Sequence, residues 1–407
     1  MKELNSIKAE IQQQAHAAWL AAGRIGTIAA GTGFGKSRVA IMEIARVLEE
    51  EVSDSFNSIL LVTPTEKLRD VNWPQEFDDW GYSNFACQVK CICFASLKKE
   101  IGNKYKLVII DEIHHVTSLS AAAFLETGVN PLTEFCAANL GSTVMGLTAT
   151  VPDAKRDPEK AKIIAQIAPV VFTYSLDQGV EDGMIRDYEI RIIQSSLDNV
   201  HKCIDAGTKL KPFKTTEEAQ YQYLEKNIRR FRALEASALP AKKAGFAKLS
   251  MFATMSRNRF LYNLPSKTEL ARRCIKHIAT GKRTLVFCGS IEQCNLLLGD
   301  NVYHSKSGSD AFRKFNAEEI DILGVVNAAN EGLNFVNLDQ GLVIQVDSNE
   351  RSITQRIGRF LRLGLDGPAI IYILCIQNTA DERWLDKSLK GFDQSKITYY
   401  SSKNVPA

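Results

Sequence analysis

The stretch AAGTGFGKSRVAIMEIARVLEE, from Ala29 to Glu50, decides the fold. Glycine stands at alternate positions 31, 33 and 35, and Lys36 and Ser37 follow directly. Apolar residues then recur with the spacing of one helix face. The apolar run RIGTIAA comes just before the loop. The pattern therefore predicts a strand, a small-residue turn and a helix, in that order.

This order of elements predicts a phosphate-binding loop. Glycine lets backbone N–H groups turn toward phosphate oxygens, and the helix N-terminus adds a partial positive charge. Lys36 would reach the β- and γ-phosphates of a nucleoside triphosphate, and Ser37 would ligate Mg²⁺. Ala30 replaces the first glycine of the strict pattern, which is tolerable if the backbone there needs no positive φ. The candidate nucleotide-binding residues are Gly31, Thr32, Gly33, Phe34, Gly35, Lys36, Ser37 and Arg38.

A second stretch, KLVIIDEIHH, supplies acidic residues after four apolar ones. A buried parallel strand delivers such residues at its carboxyl end, where ligands bind in open α/β sheets. We expect Asp111 to hold Mg²⁺ and Glu112 to polarise the attacking water. His114 and His115 follow, and on a strand end they would face different ways.

Strand-like runs alternate with helical patterns along the chain, which predicts an α/β fold with parallel sheets. We expect one domain over 1–172 and a second over 173–407. The runs are RIGTIAA, SILLVTP, QVKCICF, YKLVIID, STVMGLTAT, RTLVFCG, IDILGVVN, GLVIQVD and PAIIYILCI.

The segment 196–265 within the second domain differs in composition. It carries 13 lysines and arginines against 6 acidic residues, a net charge of +7, whereas the whole chain carries +3. TTEEAQYQYLEKNIRRFRALE predicts a helix that begins with a capping box of Thr215 and Glu218. This helical basic insert is either a solvated helical hairpin or a nucleic-acid contact. Its candidate contacts are Arg229, Arg230, Lys242 and Lys243.

Composition and cysteine usage indicate the cellular compartment in which the protein would function. The nine cysteines lie in apolar contexts, which fits a reduced cytosolic protein better than a disulfide framework. No apolar run reaches spanning length, so we expect no membrane segment. We expect a cytoplasmic protein, bacterial or in a phage-infected host, that acts as a monomer.

A series of short motifs resembles those of superfamily 2 helicases of the DEXH-box type. GTGFGKS, VTPTEKL, DEIH, LTATVP, TLVFCGS, NAANEGLNF and QRIGRFLR resemble motifs I, Ia, II, III, IV, V and VI. QQQAHAAWLAAGRIG and FTYSLDQGVEDGMIRDYEIRII are similar to the DNA repair and recombination branch, which includes phage branch-migration helicases. The resemblance implies two tandem RecA-like P-loop domains, ATP with Mg²⁺, and a nucleic-acid partner, DNA more than RNA.

The resemblance also implies roles for single residues. Gln12 would read the adenine edge, and His114 would link the ATP site to motif VI. Thr148 and Thr150 would couple hydrolysis to domain motion. Motif V reads Gly332-Leu333-Asn334 where the family commonly has Gly-Ile-Asp, so an amide stands at the ribose-bonding position. The residues that would touch the nucleic-acid backbone are Pro64, Thr65 and His304.

Motif VI carries a physical argument of its own. The planar, permanently charged guanidinium group suits a γ-phosphate that gathers charge in the transition state. Arg359 and Arg362 have the spacing of one helix face. By the resemblance these two are arginine fingers supplied from the second domain, and Gln355 belongs to the same catalytic set.

The sequence therefore predicts an ATP-dependent DNA helicase or translocase that acts on forked or branched DNA. One alternative is an RNA helicase. Another is a nucleic-acid-stimulated ATPase or loading factor that does not unwind. A third is a small-molecule P-loop kinase, against which the motif VI arginines argue.

We expect Trp73, in VNWPQEF, to pack the first domain rather than line the substrate path.

Overall fold

The computed structural model divides the chain into two compact units. The first is formed by the described residues up to Asp187, and the second by those from Tyr188 onward except Leu361. The described residues are 2–31, 33–50, 59–116, 131–139, 141–149, 151, 154, 158–208, 210–279, 281–326, 335, 337–346, 353, 356–361 and 367–404.

The first unit is built on a six-stranded parallel sheet with the order β3-β2-β4-β5-β1-β6. Its central strands are almost entirely apolar and buried, as expected for a parallel sheet covered on both faces. The strands are β1 Ile25–Ala30, β2 Ile59–Thr63, β3 Val89–Cys93, β4 Leu107–Ile110, β5 Thr143–Thr148 and β6 Val170–Tyr174.

Helices and short turns connect these strands. Helix α2 buries an apolar face that includes Val39, Ile41 and Ile44 in the same core cluster as Ile28 of β1 and Ile59 of β2. A π-helical turn, Leu68–Asn72, precedes α3, and a 3₁₀ turn, Ile113–His115, follows β4. The α-helices are α1 Lys2–Ala21, α2 Lys36–Glu50, α3 Trp73–Asp79, α4 Ser83–Ala86, α5 Pro131–Ala138, α6 Pro158–Ile167 and α7 Leu176–Glu181.

The first unit continues past residue 172, where the sequence suggests a domain boundary. Strand β6 extends to Tyr174 and pairs with β1, so a division at 172 would cut a strand of the first sheet. Helix α7 follows with a capping box made by Ser175 and Gln178, and it too belongs to the first unit.

The second unit contains a seven-stranded parallel sheet with the order β11-β12-β10-β13-β14-β7-β15. Each apolar run quoted above forms a strand of one of the two sheets. The strands of this unit are β7 Tyr188–Ser195, β8 Ile204–Thr208, β9 Lys211–Thr215, β10 Thr284–Phe287, β11 Val302–Tyr303, β12 Ile322–Val325, β13 Gln340–Val343, β14 Ala369–Ile376 and β15 Ile397–Ser401. Its α-helices are α8 Glu217–Ser237, α9 Pro240–Tyr262, α10 Pro265–Ile278, α11 Ile291–Leu298, α12 Asp310–Asn316 and α13 Ala380–Ser388.

The basic insert is not wholly helical. Strands β8 and β9 form an antiparallel hairpin, and α8 and α9 then pack against each other. The N-cap of α8 is Thr216, whose side chain accepts from the Ala219 N–H, so the predicted capping box of Thr215 and Glu218 is wrong by one residue. Glu217 is fully buried and accepts hydrogen bonds from Asp198 and Ser266, which anchors α8 to the rest of the unit.

A buried ion pair ties together the second unit. Lys267 Nζ on α10 lies 2.6 Å from Asp381 Oδ2 on α13, and both side chains are fully buried. The same oxygen accepts the N–H of Ile376, 3.0 Å away, at the end of β14. Gln345 donates to the other Asp381 oxygen at 3.2 Å. Because the carboxylate has several donors, the cost of burying both charges is offset.

We expect Asp381→Asn to lower the free energy of unfolding of the second unit by about 3–5 kcal/mol, because Lys267 would remain buried without its counter-charge. Chemical denaturation followed by the fluorescence of Trp384 in α13 would measure this. Asp310→Asn, which breaks a surface pair with Lys314, is the matched control and should leave the midpoint almost unchanged. Equal effects of the two substitutions would contradict the assignment.

Among the residues that the structure describes, no helix is both long enough and apolar enough to cross a lipid bilayer.

Candidate nucleotide-binding site

The glycine loop lies between β1 and α2, at the carboxyl edge of the first sheet. Gly33 and Gly35 have φ values of +94° and +82°, which side chains rarely allow. A Cβ at Gly35 would also lie 2.5 Å from Gln12 Nε2. Ala30 is absent from the positive-φ residues and pairs with Tyr174 as the last residue of β1. The backbone at position 30 therefore needs no positive φ, which is the condition under which the sequence predicts that alanine is tolerated.

Lys36 and Ser37 are the first two residues of α2, so the N-terminus of this helix follows the loop directly. Lys36 Nζ donates to the carbonyl of Ala30 at 2.8 Å. That bond turns the lysine back toward the end of β1. Phe34 is buried against the rings of Phe172 and Tyr174, at centroid distances of 6.0 and 5.4 Å, and this packing fixes the middle of the loop.

Gln12 on α1 holds the loop from the other side. Its Nε2 donates to the carbonyl of Phe34 at 2.6 Å, and its Oε1 accepts from Arg38 Nη1 at 3.0 Å. The Arg38 guanidinium lies 4.3 Å from the ring centroid of Trp80. Gln12 is fully buried. The structure thus brings Gln12 to the loop, but both ends of its amide are already bonded, so the adenine contact, which stays a prediction, would require breaking these bonds.

Asp111 and Glu112 follow β4, which lies two strands from β1 with β5 between them. The Asp111 N–H donates to the carbonyl of Val62 at 2.9 Å and so extends the pairing with β2 by one residue. Glu112 has φ +48° and ψ +51°, a left-handed conformation that is costly for a residue with a side chain. Such strain is concentrated at functional sites, and here it turns the chain into the Ile113–His115 turn.

The two carboxyl groups have different surroundings. Burial, and after it the charge of Glu112, raises the pKa of Asp111, although the Trp73 indole and the Lys36 charge oppose the rise. Burial also disfavours the charge of Glu112, but the contact with His114, together with the charges of Lys36 and His115, outweighs burial and lowers the pKa of Glu112. A divalent cation beside Asp111 would favour its anionic form further, in addition to Trp73 and Lys36. Carboxylate and hydroxyl oxygens are ligands that Mg²⁺ prefers, so Asp111 and Ser37 fit this ion.

His114 joins the acidic stretch to the end of β5. Its Nδ1 lies 3.0 Å from Thr148 Oγ1 and 3.1 Å from Glu112 Oε2. His114 and Thr148 are both buried. The prediction that His114 and His115 face different ways is wrong, because both lie in a 3₁₀ turn after the strand and their ring centroids are 4.5 Å apart.

Trp73 also belongs to this site. The sequence did not reveal that it contacts Asp111. The ring is buried beside Phe77 as expected, but its Nε1 also donates to Asp111 Oδ2 at 3.0 Å. A signal was present, because a buried indole N–H normally requires an acceptor. The sequence does not say which acceptor it meets.

In the second unit, Arg359 lies in a turn directly after the helical residues 356–358, and its N–H donates to the carbonyl of Arg356 at 3.1 Å. Arg359 is partly exposed, whereas Arg356 is buried. Arg356 donates to the carbonyl of Gln345 at 2.6 Å and lies over the ring of Phe287. Arg356 therefore supports the structure, and Arg359 is the arginine that solvent can reach.

The predicted nucleic-acid residues lie in several elements. Pro64 and Thr65 follow β2 and are partly exposed. The exposed basic candidates of the insert are Arg229, Arg230, Lys242 and Lys243.

His304 differs from these candidates because it is buried. Its Nδ1 accepts the N–H of Lys306 at 3.2 Å, and its Nε2 pairs with Asn295 at 3.1 Å. The ring therefore holds its own loop, and contact with a phosphate would require breaking these bonds. The predicted residues that lie outside the described part of the chain are Thr32, Thr150, Gly332, Asn334, Gln355 and Arg362.

Comparisons with known proteins bear on this geometry. Residues 266–364 match the family described as Helicase conserved C-terminal domain. The chain is 25% identical over 390 residues to the DNA 3'-5' translocase XPB2 of Sulfurisphaera tokodaii, with 92% of this chain and 82% of the relative covered. These matches support a superfamily 2 helicase.

Solved structures show the same fold. S. cerevisiae Dbp5 bound to RNA and ADP BeF3 has a TM-score of 0.55 at 13% identity, over 96% of this chain and 89% of that one. The Pyrococcus furiosus Hef helicase domain has a TM-score of 0.50 at 15% identity, over 94% and 97%. The two parallel-sheet units thus resemble tandem RecA-like helicase domains, as predicted.

A larger protein shares this fold in part. The ATP-dependent Type ISP restriction-modification enzyme LlaBIII bound to DNA has a TM-score of 0.55 at 13% identity. The match covers 96% of this chain, which spans 31% of the length of that enzyme.

Proposed function

We propose that the protein is an ATP-dependent DNA helicase or translocase that remodels or unwinds forked or branched DNA. One observation carries the proposal: the glycine loop with Lys36, the Asp111–Glu112 pair and Thr148 meet at the carboxyl ends of adjacent strands β1, β4 and β5. This arrangement suits the hydrolysis of a nucleoside triphosphate. The XPB2 relative, whose name describes a 3'-5' DNA translocase, favours DNA and that direction.

Each residue would have a defined task in hydrolysis. Lys36 would bind the β- and γ-phosphates, and Glu112 would orient the attacking water. Ser37 and Asp111 would hold Mg²⁺, which would neutralise charge on the phosphate oxygens. His114, placed between Glu112 and Thr148, would pass the state of the γ-phosphate to the end of β5. Arg359 would stabilise the transition-state charge from the second unit.

The described part of the second unit offers a groove for the nucleic-acid strand. This groove has a volume of about 740 Å³ and lies between α8 and the loops after β7 and β14. Lys226 and Arg229 of α8 line it, and neither forms an ion pair with another described residue. Two acids also line it: Glu225 is paired with Arg257 at 2.6 Å, whereas Glu218 forms no ion pair with a described residue and accepts a hydrogen bond from Gln222. With Glu225 neutralised by Arg257, two cations stand against one acid in the groove, and this excess of positive charge suits a phosphate backbone.

We expect the double substitution Lys226→Ala with Arg229→Ala to weaken binding to DNA of any sequence. If each cation contacts one phosphate, the slope of log K against log salt for single-stranded DNA should fall by about 1.4. Fluorescence anisotropy across a salt series would measure the slope. Arg232→Ala, an exposed residue of α8 that does not line the groove, is the control. An unchanged slope in the double variant would place the strand elsewhere.

The experiment that tests the proposed function is a stimulation panel on the full chain. ATP hydrolysis would be measured with single-stranded DNA, duplex DNA, forks, four-way junctions and RNA, and strand displacement would be measured in parallel. The proposal expects the largest stimulation and displacement with forks or junctions. Stimulation by RNA alone would indicate an RNA helicase, and ATP-dependent binding without displacement would indicate a loading factor.

Membership of the repair and recombination branch and action as a cytoplasmic monomer stay predictions.

A further inference from the structure

Trp73 makes a contact that the helicase motifs do not explain. Its indole N–H donates to Asp111 Oδ2 at 3.0 Å, and its side chain is only 3% exposed. The ring packs against Phe77 at a centroid distance of 6.3 Å. A hydrogen bond to an ionised carboxylate is about twice as strong as one between neutral groups. The indole thus holds one oxygen of Asp111 without cancelling its charge.

The backbone and the indole together fix the orientation of Asp111. The Asp111 N–H is bonded to Val62 of β2, which sets the position of its Cα. The indole bond to Oδ2 then restricts the rotation of the side chain, and the carboxylate also accepts a hydrogen bond from the Glu112 backbone. Partners that orient metal ligands in this way usually matter nearly as much as the ligands themselves.

Trp73 also stands at the end of a continuous helical path from motif Ia. The carbonyl and the hydroxyl of Thr65 accept the N–H groups of Arg69 and Leu68, at 3.2 and 3.3 Å. The π-helical turn Leu68–Asn72 follows, and its last bond runs from the Trp73 N–H to the carbonyl of Leu68. Helix α3 begins at Trp73 without a break. A shift of Thr65 would therefore move the backbone that carries the indole.

We propose that Trp73 is a positioning residue that orients the Asp111 carboxylate for Mg²⁺ and links it to the Pro64–Thr65 segment. This inference rests on the proposed function, because the ion is part of it, and it takes over the nucleic-acid contact that the sequence predicts for Thr65. Trp73 itself touches neither nucleotide nor ion in this assignment. It acts only through Asp111.

The test is Trp73→Phe, which keeps an aromatic ring beside Phe77 and removes the N–H. Binding of a fluorescent, non-hydrolysable ATP analogue would be titrated against Mg²⁺, with an EDTA series for metal-free binding. We expect the Mg²⁺ concentration for half-maximal binding to rise about 10-fold or more. Metal-free binding should be unchanged, and DNA should stimulate the ATPase less than in the wild type. An unchanged Mg²⁺ requirement would overturn the inference.

Trp19→Phe is the matched control. Trp19 is also a buried tryptophan of the first unit, and its Nε1 donates to the carbonyl of Val144 at 2.9 Å. The control loses the same kind of bond without touching a carboxylate, so its Mg²⁺ requirement should match the wild type. An equal rise in both variants would show a loss of stability rather than a loss of positioning.

Two further measurements separate a loss of positioning from a loss of folding. Thermal unfolding reports whether Trp73→Phe is folded. If it is not folded, the Mg²⁺ titration would be repeated on a protein with 3-benzothienylalanine at position 73. That residue keeps the fused ring and lacks the N–H. Failure of the proposed function would appear separately, as a wild-type protein whose nucleotide binding ignores Mg²⁺ or whose ATPase ignores nucleic acid. If the wild type requires Mg²⁺ and is stimulated by nucleic acid, and Trp73→Phe has the same Mg²⁺ requirement, only the positioning role of Trp73 would be contradicted.

Discussion

Lys36→Ala should reduce ATP hydrolysis by about 10²-fold or more, because a fixed charge at the phosphates stabilises the transition state in a site that excludes water. Lys36 Nζ is bonded to the carbonyl of Ala30, not to a carboxylate, so its removal breaks no ion pair at that atom. The fold should therefore survive. Steady-state phosphate release, with and without single-stranded DNA, would measure the loss.

The matched control for Lys36 is Lys90→Ala. Lys90 lies in β3 of the same unit, is partly exposed and pairs with Glu100 at 2.8 Å. Its removal should leave hydrolysis near the wild-type rate. If Lys36→Ala kept a rate within a few-fold of wild type, the glycine loop would not be the phosphate site.

Arg359→Ala should lower the hydrolysis rate by about 10³–10⁵-fold while leaving nucleotide affinity close to normal. An arginine finger interacts with charge that develops only in the transition state, so its loss affects turnover more than binding. Arg359→Lys should not restore the rate, because an ammonium group lacks the planar fork of donors. Single-turnover hydrolysis and fluorescent-nucleotide binding, measured on the same preparation, would separate the two effects.

Arg313→Ala is the control for Arg359. Arg313 lies in α12 of the same unit, is exposed and pairs with Asp310 at 2.7 Å. Its loss removes one surface charge and should not change turnover. Turnover near the wild-type rate in Arg359→Ala would show that this arginine does not serve as a finger.

The strands and the glycine loop could be predicted because local patterns specify them. Buried parallel strands appear as continuous apolar runs, and positive φ at Gly33 and Gly35 requires glycine in the chain itself. Both signals lie within a few residues of the element they describe. Asp111 was predictable for the same reason, since it directly follows the apolar run of β4.

The features that escaped prediction depend on contacts between distant residues. The acceptor of the Trp73 N–H is 38 positions away along the chain and is chosen by the packing of α3. The β8–β9 hairpin contains lysines, glycine and proline, which weaken a strand signal. The N-cap of α8 differs from the prediction because two threonines are adjacent and the pattern does not separate them.

The hydrogen bond from Gln12 to Phe34 has a practical consequence for work with this protein. It means that the shape of the glycine loop depends on a helix that begins at Lys2 and contains none of the loop residues. A shortened N-terminus, or a fusion tag that unravels this helix, would release the loop while every loop residue stays intact. Weak nucleotide affinity in such a preparation would reflect how the sample was prepared and not the properties of the intact protein.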